Sequence, residues 1–206
     1  MYIPSFNRED DMQTLHEFMC TYSFATLITQ HEGVPLASHL PFMLDSERGR
    51  SGTLLCHFAR SNPQWRSLDP QQELLVIFQG PHAYITPSWY EVHPSVPTWN
   101  YAVVHAYGLP RIVDDEQELY AMLRRLVQTN EAGFTQPWEL QPVDDYLHKM
   151  MRGVVGVEIE ITRLEGKFKL SQNRTTGEQA NLIDELSTSP SAEEQQLAEL
   201  MRRRMK

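Results

Sequence analysis

The sequence predicts an α+β fold, a compact antiparallel barrel with helices outside it. Five or six strand-like runs lie between Ser23 and Leu164, joined by connections of the antiparallel type. Helical periodicity gathers late, after Val113. The clearest strand, Val154 to Leu164, sets Val155, Val157, Ile159 and Ile161 against Glu158, Glu160 and Thr162, so one face is buried and the other wet.

Each element has a local cause. Asp11 to Cys20 places Leu15, Phe18 and Met19 on one helical face. Ser23 to His31 is a partly buried strand, and Glu32-Gly33 turns it into Val34 to Phe42 as a hairpin. Pro35 and Pro41 confine that second strand to an edge or a bulge. Thr53 to Ala59 is a strand, and Asn62-Pro63 opens a short helix that ends near Leu68. Glu73 to Gln79 is a continuous apolar strand. Tyr101 to Val113 is a longer one, with Gly108 and Pro110 suggesting a bulge or bend. Asp114 then caps a helix striped by Leu119, Met122, Leu123, Leu126 and Val127. Pro137 to Met151 reads as a second helical piece. Two helical patterns share Thr176 to Lys206, split by Ser187 to Ser191, and Ser191 and Glu194 have capping-box spacing.

Composition narrows the function classes. With 18 basic and 27 acidic residues the net charge is −9, which argues against a whole-surface polyanion binder. Arg202-Arg203-Arg204-Met205-Lys206 is a local basic patch all the same. Cys20 and Cys56 form no Cys-x-x-Cys pair, so a reducing cytoplasm is expected and a disulfide framework is not. Met1 to Asp10 has no secretory pattern, and no apolar run approaches the roughly 20 residues of a membrane-spanning helix.

The residues that carry chemistry concentrate between Leu54 and Gly108, where Trp65, Trp89 and Trp99 lie among His, Arg, Asn and Tyr. Aromatic walls, hydrogen-bond donors and one or two cations suit a flat, anionic, redox-active cofactor. In His57-Phe58-Ala59-Arg60-Ser61-Asn62, a strand end and a helix start converge Arg60, Ser61 and main-chain amides into an anion pocket. An ordinary Asn-Pro cap with a solvent-facing Arg would read the same way. Trp99 beside Asn100 can stack on a ring and bond its polar edge, or be a buried structural pair. Lys167, Lys169 and Ser171 can line a polar pocket from one strand face, or protect an exposed edge. Histidines 39, 57, 82, 93 and 105 lack metal-ligand spacing, so no metal site is expected. The Rossmann, P-loop and Gly-x-Ser-x-Gly fingerprints are absent.

Six segments taken together resemble the PaiB family, described as FMN-binding negative transcriptional regulators. They are Met1-Tyr2-Ile3-Pro4, His39-Leu40-Pro41-Phe42, His57 to Trp65, Gly80 to Tyr90, Val96 to Tyr101 and Gly166 to Arg174, and the resemblance spans about residues 1–200 in order. It implies a six-stranded antiparallel Greek-key split β-barrel with peripheral helices and a helical C-terminal tail. On this reading residues 1–175 are the FMN-binding domain and 176–206 an extension. It also implies an intimate homodimer with FMN at the interface. The strand end and turn at His57 to Asn62, with Arg60 and Ser61, are then expected to hold the phosphate and ribityl chain, and Trp99, Asn100, Ser171 and Gln172 to approach the ring or close the dimer; His39, Trp65 and Lys169 are further cofactor-binding candidates.

The first expectation is therefore a cytoplasmic, homodimeric, FMN-binding regulator. The alternatives are a flavin oxidoreductase using NAD(P)H, with His105 or Tyr84 as proton donor, and a haem-binding split barrel. A fourth is direct operator binding through Arg202-Arg203-Arg204, although no basic recognition helix stands out.

Overall fold

The computed structural model describes residues 1–140 and 145–205, as eight antiparallel strands and five α-helices among the described residues. The hydrogen-bonded strand order is β3-β2-β6-β7-β8-β5-β4, with β1 paired to β8; β3 and β4 are free ends, so the path does not close. Six strands have seven residues or more: β2 (Phe24–His31), β3 (Val34–Pro41), β5 (Thr53–Ala59), β6 (Leu74–Ile85), β7 (Thr98–Val113) and β8 (Val154–Lys169). The other two are short, β1 (Arg8–Glu9) and β4 (Met43–Asp45). The fold is the expected split-barrel α+β class, with two short strands beyond the expected six.

The chain forms two compact units, and β6, β7 and β8 each run through both. Unit 2 comprises residues 16–78 and 105–164. Its β2–β3 hairpin turns at Glu32 and Gly33, at φ of 50° and 80°, a left-handed pair that matches the twist of the flanking strands. The proline-bearing β3 is an edge, as expected. Helix α2 (Glu116–Glu131) is capped by Asp115, one residue later than expected, whose Oδ1 accepts from the Glu118 amide at 2.8 Å. Leu119 and Met122 of α2 pack with Met43, Leu55, Val113 and Met151. Met151 ends α3 (Asp145–Met151). Of the helix expected over 137–151, the described residues show Asp145–Met151; residues 137–140 are not helical, and 141–144 lie outside the described residues, as does Lys206 of the basic tail.

Unit 1 comprises residues 1–15, 79–104 and 165–206. Its helices α4 (Thr176–Ser187) and α5 (Ala192–Arg204) pack on each other and bury Leu182, Ile183, Leu186, Leu197, Ala198 and Met201. Thr175 and Glu178 form a capping box on α4, and Ser191 caps α5 through the Glu194 amide. Helix α1 (Met12–Thr21) matches the expected helix. Strand β6 does not stop at Gln79: it continues to Ile85 through Gly80 and Pro81, which are both buried. Two consecutive buried residues shift the alternation by one, the signature of a bulge, and a proline needs no ladder donor there.

Candidate functional site

The expected phosphate-side residues lie in unit 2, where the structure divides them. His57 pairs in register with Gly156, at which a Cβ would stand 2.7 Å from Met122 Cε and 2.8 Å from Leu119 Cδ1. Cross-strand partners share a face, so His57 lies on the side that α2 covers. Burial holds its imidazole below the ordinary value, and its Nδ1 is buried with no hydrogen-bond partner among the described residues. The neighbouring Cys56 is fully buried, which pushes its thiol far above the usual range and removes it from nucleophilic chemistry.

Arg60 is fixed by the start of β8. Its Nε donates to the Arg152 carbonyl at 2.7 Å and its Nη2 to the Val154 carbonyl at 2.9 Å. The Trp65 indole N–H returns to the Arg60 carbonyl at 3.0 Å, and its ring lies 5.8 Å from the Arg60 guanidinium and 4.9 Å from that of Arg66. A guanidinium has five N–H donors, so Arg60 keeps three that no other described residue takes. It opens, with Trp65, into a cavity of about 910 Å³ that also takes Lys149, Arg152, Asp114, Asp145 and the His148–Glu116 pair, 2.6 Å apart.

Asn62 does a different job. Its Oδ1 accepts from the Gln64 amide at 2.9 Å, and its Nδ2 donates to Ser38 Oγ at 2.9 Å. Gln64, 3% exposed, is the hub: it accepts from Ser38 Oγ at 2.5 Å and donates to Thr29 Oγ1 at 3.0 Å and the Leu36 carbonyl at 3.1 Å. This network ties the turn after β5 to β2 and β3 and leaves Asn62 few groups to spare. Exposed His39 has its Nδ1 3.0 Å from Thr26 Oγ1. The helix opened at Pro63 is a five-residue 3₁₀ helix, Pro63–Ser67, too short for a useful dipole. The anion-binding capacity here is therefore in side chains, Arg60 and the exposed Ser61, rather than in helix amides.

The ring-side candidates lie in unit 1. Trp99 is 52% exposed on β7, with Tyr84 edge-on at 5.9 Å between centroids and His82 at 6.0 Å. Gln79, His82, Trp99, Tyr101, Ala102 and Val103 line an open groove of about 390 Å³. Lys169 donates to Thr98 Oγ1 and to the Trp99 carbonyl, which holds the segment from behind. Burial, with Lys167 nearby, lowers the Lys169 ammonium from its ordinary value. Asn100 is fully buried and exchanges hydrogen bonds with Ser171, Nδ2 to Oγ at 2.9 Å and Oγ to Oδ1 at 3.1 Å. Ser171 follows the end of β8 at φ 64°, so it turns inward and does not share a strand face with Lys167 and Lys169. Gln172 closes that turn, donating to the Phe168 carbonyl and accepting from the Leu170 amide. Gln79 and His82, like Gln64 and Ser38 in unit 2, are not among the site residues named from sequence.

The fit to a flavin follows from these donor sets. Arg60 and Ser61 suit a phosphate, and the exposed face of Trp99, walled by Tyr101 and His82, suits a planar heteroaromatic ring. Among the described residues no cluster of three or more His, Cys, Asp or Glu could hold a metal ion, and no helix is long and apolar enough to cross a membrane.

Comparison with known proteins agrees with this chemistry. Residues 1–163 match the family model described as "Putative FMN-binding domain". The protease synthase and sporulation protein PAI 2 of Bacillus subtilis (strain 168) is 35% identical over 209 residues, covering 100% of this chain and 99% of its own. Among solved structures, the flavocytochrome Anf3 from Azotobacter vinelandii superposes with a TM-score of 0.63 at 17% identity, over 84% of this chain and 73% of that one. The FAD and haem binding protein from Mycobacterium smegmatis gives 0.57 at 17% identity, over 84% and 78%. At such identities the two structures speak to fold alone.

Proposed function

Because the chain belongs to the FMN-binding, PaiB-type family, we propose that it is a cytoplasmic homodimer that senses through bound FMN within a repressor system. The observation that supports this most is the Trp99 groove: a large aromatic face left half in solvent, beside Tyr84 at 47% exposed. Soluble chains seldom leave such a surface without a ligand or a second subunit to cover it. Residues 1–175 carry the flavin-binding function on this reading, and 176–206 are an extension of it.

The flavin, when bound, supplies an electron-accepting ring whose state can report on its surroundings. The chain's own residues do the rest. Trp99 offers its face to the ring, and Lys169 keeps the Trp99 backbone in place. The three remaining Arg60 donors and the Ser61 hydroxyl take the phosphate. Asn62, Asn100, Ser171 and Gln172 hold the two segments in shape.

The test is thermal unfolding of the purified chain with and without FMN. A ligand at 100 times its Kd adds about 2.7 kcal/mol of stability, so a Tm rise of several degrees is expected. An unchanged Tm at saturating FMN would contradict the reading. An absorption spectrum separates flavin from the haem alternative by the absence of a Soret band. Tyr84, exposed beside Trp99, keeps the oxidoreductase alternative in view; turnover of NADH or NADPH would favour it.

Direct operator binding by the terminal arginines is disfavoured by their pairing. Arg202 and Arg203 both bond Glu199, and Arg204 bonds Glu9 and lies over Phe168. Phosphate contacts would first have to displace these carboxylates.

A further inference from the structure

Resting on the reading of the Trp99 groove as the flavin ring's seat, we infer that Gln79 and His82 recognise the imide edge of that ring, and that Glu193 of α5 sets the imidazole tautomer they need. In an unbroken strand, residues 79, 81 and 83 would share a face. The double burial at Gly80 and Pro81 shifts the phase, so that Gln79, His82 and Tyr84 become the outward residues. Both polar side chains therefore line the same groove as Trp99 and Tyr101.

Glu193, in the first turn of α5, stands 2.7 Å from His82 Nδ1, close enough for an ion pair but off the line of a hydrogen bond. The negative charge of the carboxylate at that distance favours the proton on Nδ1, which leaves Nε2, across the ring, as an acceptor. The Gln79 amide makes no hydrogen bond to another described residue and offers donors and an acceptor to a ligand. An imide presents acceptor, donor, acceptor in a row. Its N–H meets His82 Nε2, one carbonyl meets the Gln79 amide hydrogens, and Trp99 supplies the stacking face. The ligand class is a planar ring bearing an O=C–NH–C=O edge, and the selectivity is for the free N–H.

The test is fluorescence titration of the full chain with riboflavin and with 3-methylriboflavin, whose imide N–H is blocked. The wild type is expected to bind riboflavin about tenfold more tightly, one hydrogen bond's worth. His82→Leu, Gln79→Leu and Glu193→Gln should each weaken riboflavin binding and leave the methylated ring nearly unaffected, closing the gap. Glu193 is half exposed, so its variant tests the idea even if His82→Leu fails to fold. Equal affinity of the wild type for both ligands, or a gap that survives in all three variants, would overturn the inference while leaving the groove as the ring's seat. Binding of neither ligand would overturn that seat and the inference with it.

Discussion

At the scale of single residues, exposed and buried members of the candidate site should behave in opposite ways. Trp99 is half exposed and contributes little packing, so Trp99→Ala should leave the Tm almost unchanged while weakening FMN binding about fivefold, for roughly 1 kcal/mol of lost stacking. Its neighbour Asn100 is fully buried and paired with Ser171. Asn100→Leu strands a buried hydroxyl and should cost about 1–3 kcal/mol in urea unfolding. Equal destabilisation by the two substitutions would contradict this division. Sequence could name both residues, since Trp-Asn is a visible pair, but not assign their roles. In-out alternation along β7 decides those, and its phase depends on packing that no local pattern reveals. Gln64 illustrates the same limit. A glutamine in Asn-Pro-Gln-Trp gives no sign that it is buried where the turn after β5 meets β2 and β3.

At the scale of elements, turn and cap chemistry was legible and long-range register was not. Glu32-Gly33 needs two left-handed residues, and Ser191 caps α5 from the spacing read off the chain. Strand β6 was cut short because Gly80-Pro81 reads as a breaker, whereas the sheet absorbs it as a bulge that brings His82 and Tyr84 outward. The Arg60 anion pocket was expected from a helix start, yet the 3₁₀ turn there leaves only side-chain donors. The capping box on α4 gives a clean check: Thr175→Ala should cost about 1 kcal/mol in urea unfolding and leave FMN affinity alone. A large loss of FMN affinity in that variant would mean that α4 bears on the ligand directly.

At the scale of the whole molecule, stability should follow pH through Glu158. This buried carboxylate accepts two hydrogen bonds from Arg48 and others from Arg111, which hold it below the ordinary glutamate range. A carboxylate lowered on folding stabilises above its unfolded value, and that stabilisation disappears as pH falls toward the folded one. Wild-type stability should therefore drop on acidification below about pH 4.5. Glu158→Gln should lose about 1.5–3 kcal/mol near neutral pH and show a shallower acid limb. An identical acid limb would place the sensitivity elsewhere. The proposed homodimer belongs to the same scale: if it forms, the exposed Trp99 and Tyr84 face should be covered by a second copy, and light scattering should give twice the chain mass. The most direct measurement is a crystal structure of the chain with FMN. The flavin ring should lie in van der Waals contact with the face of Trp99, with its phosphate bonded to an Arg60 guanidinium. A flavin bound elsewhere, with Trp99 facing solvent or the partner alone, would contradict the proposal.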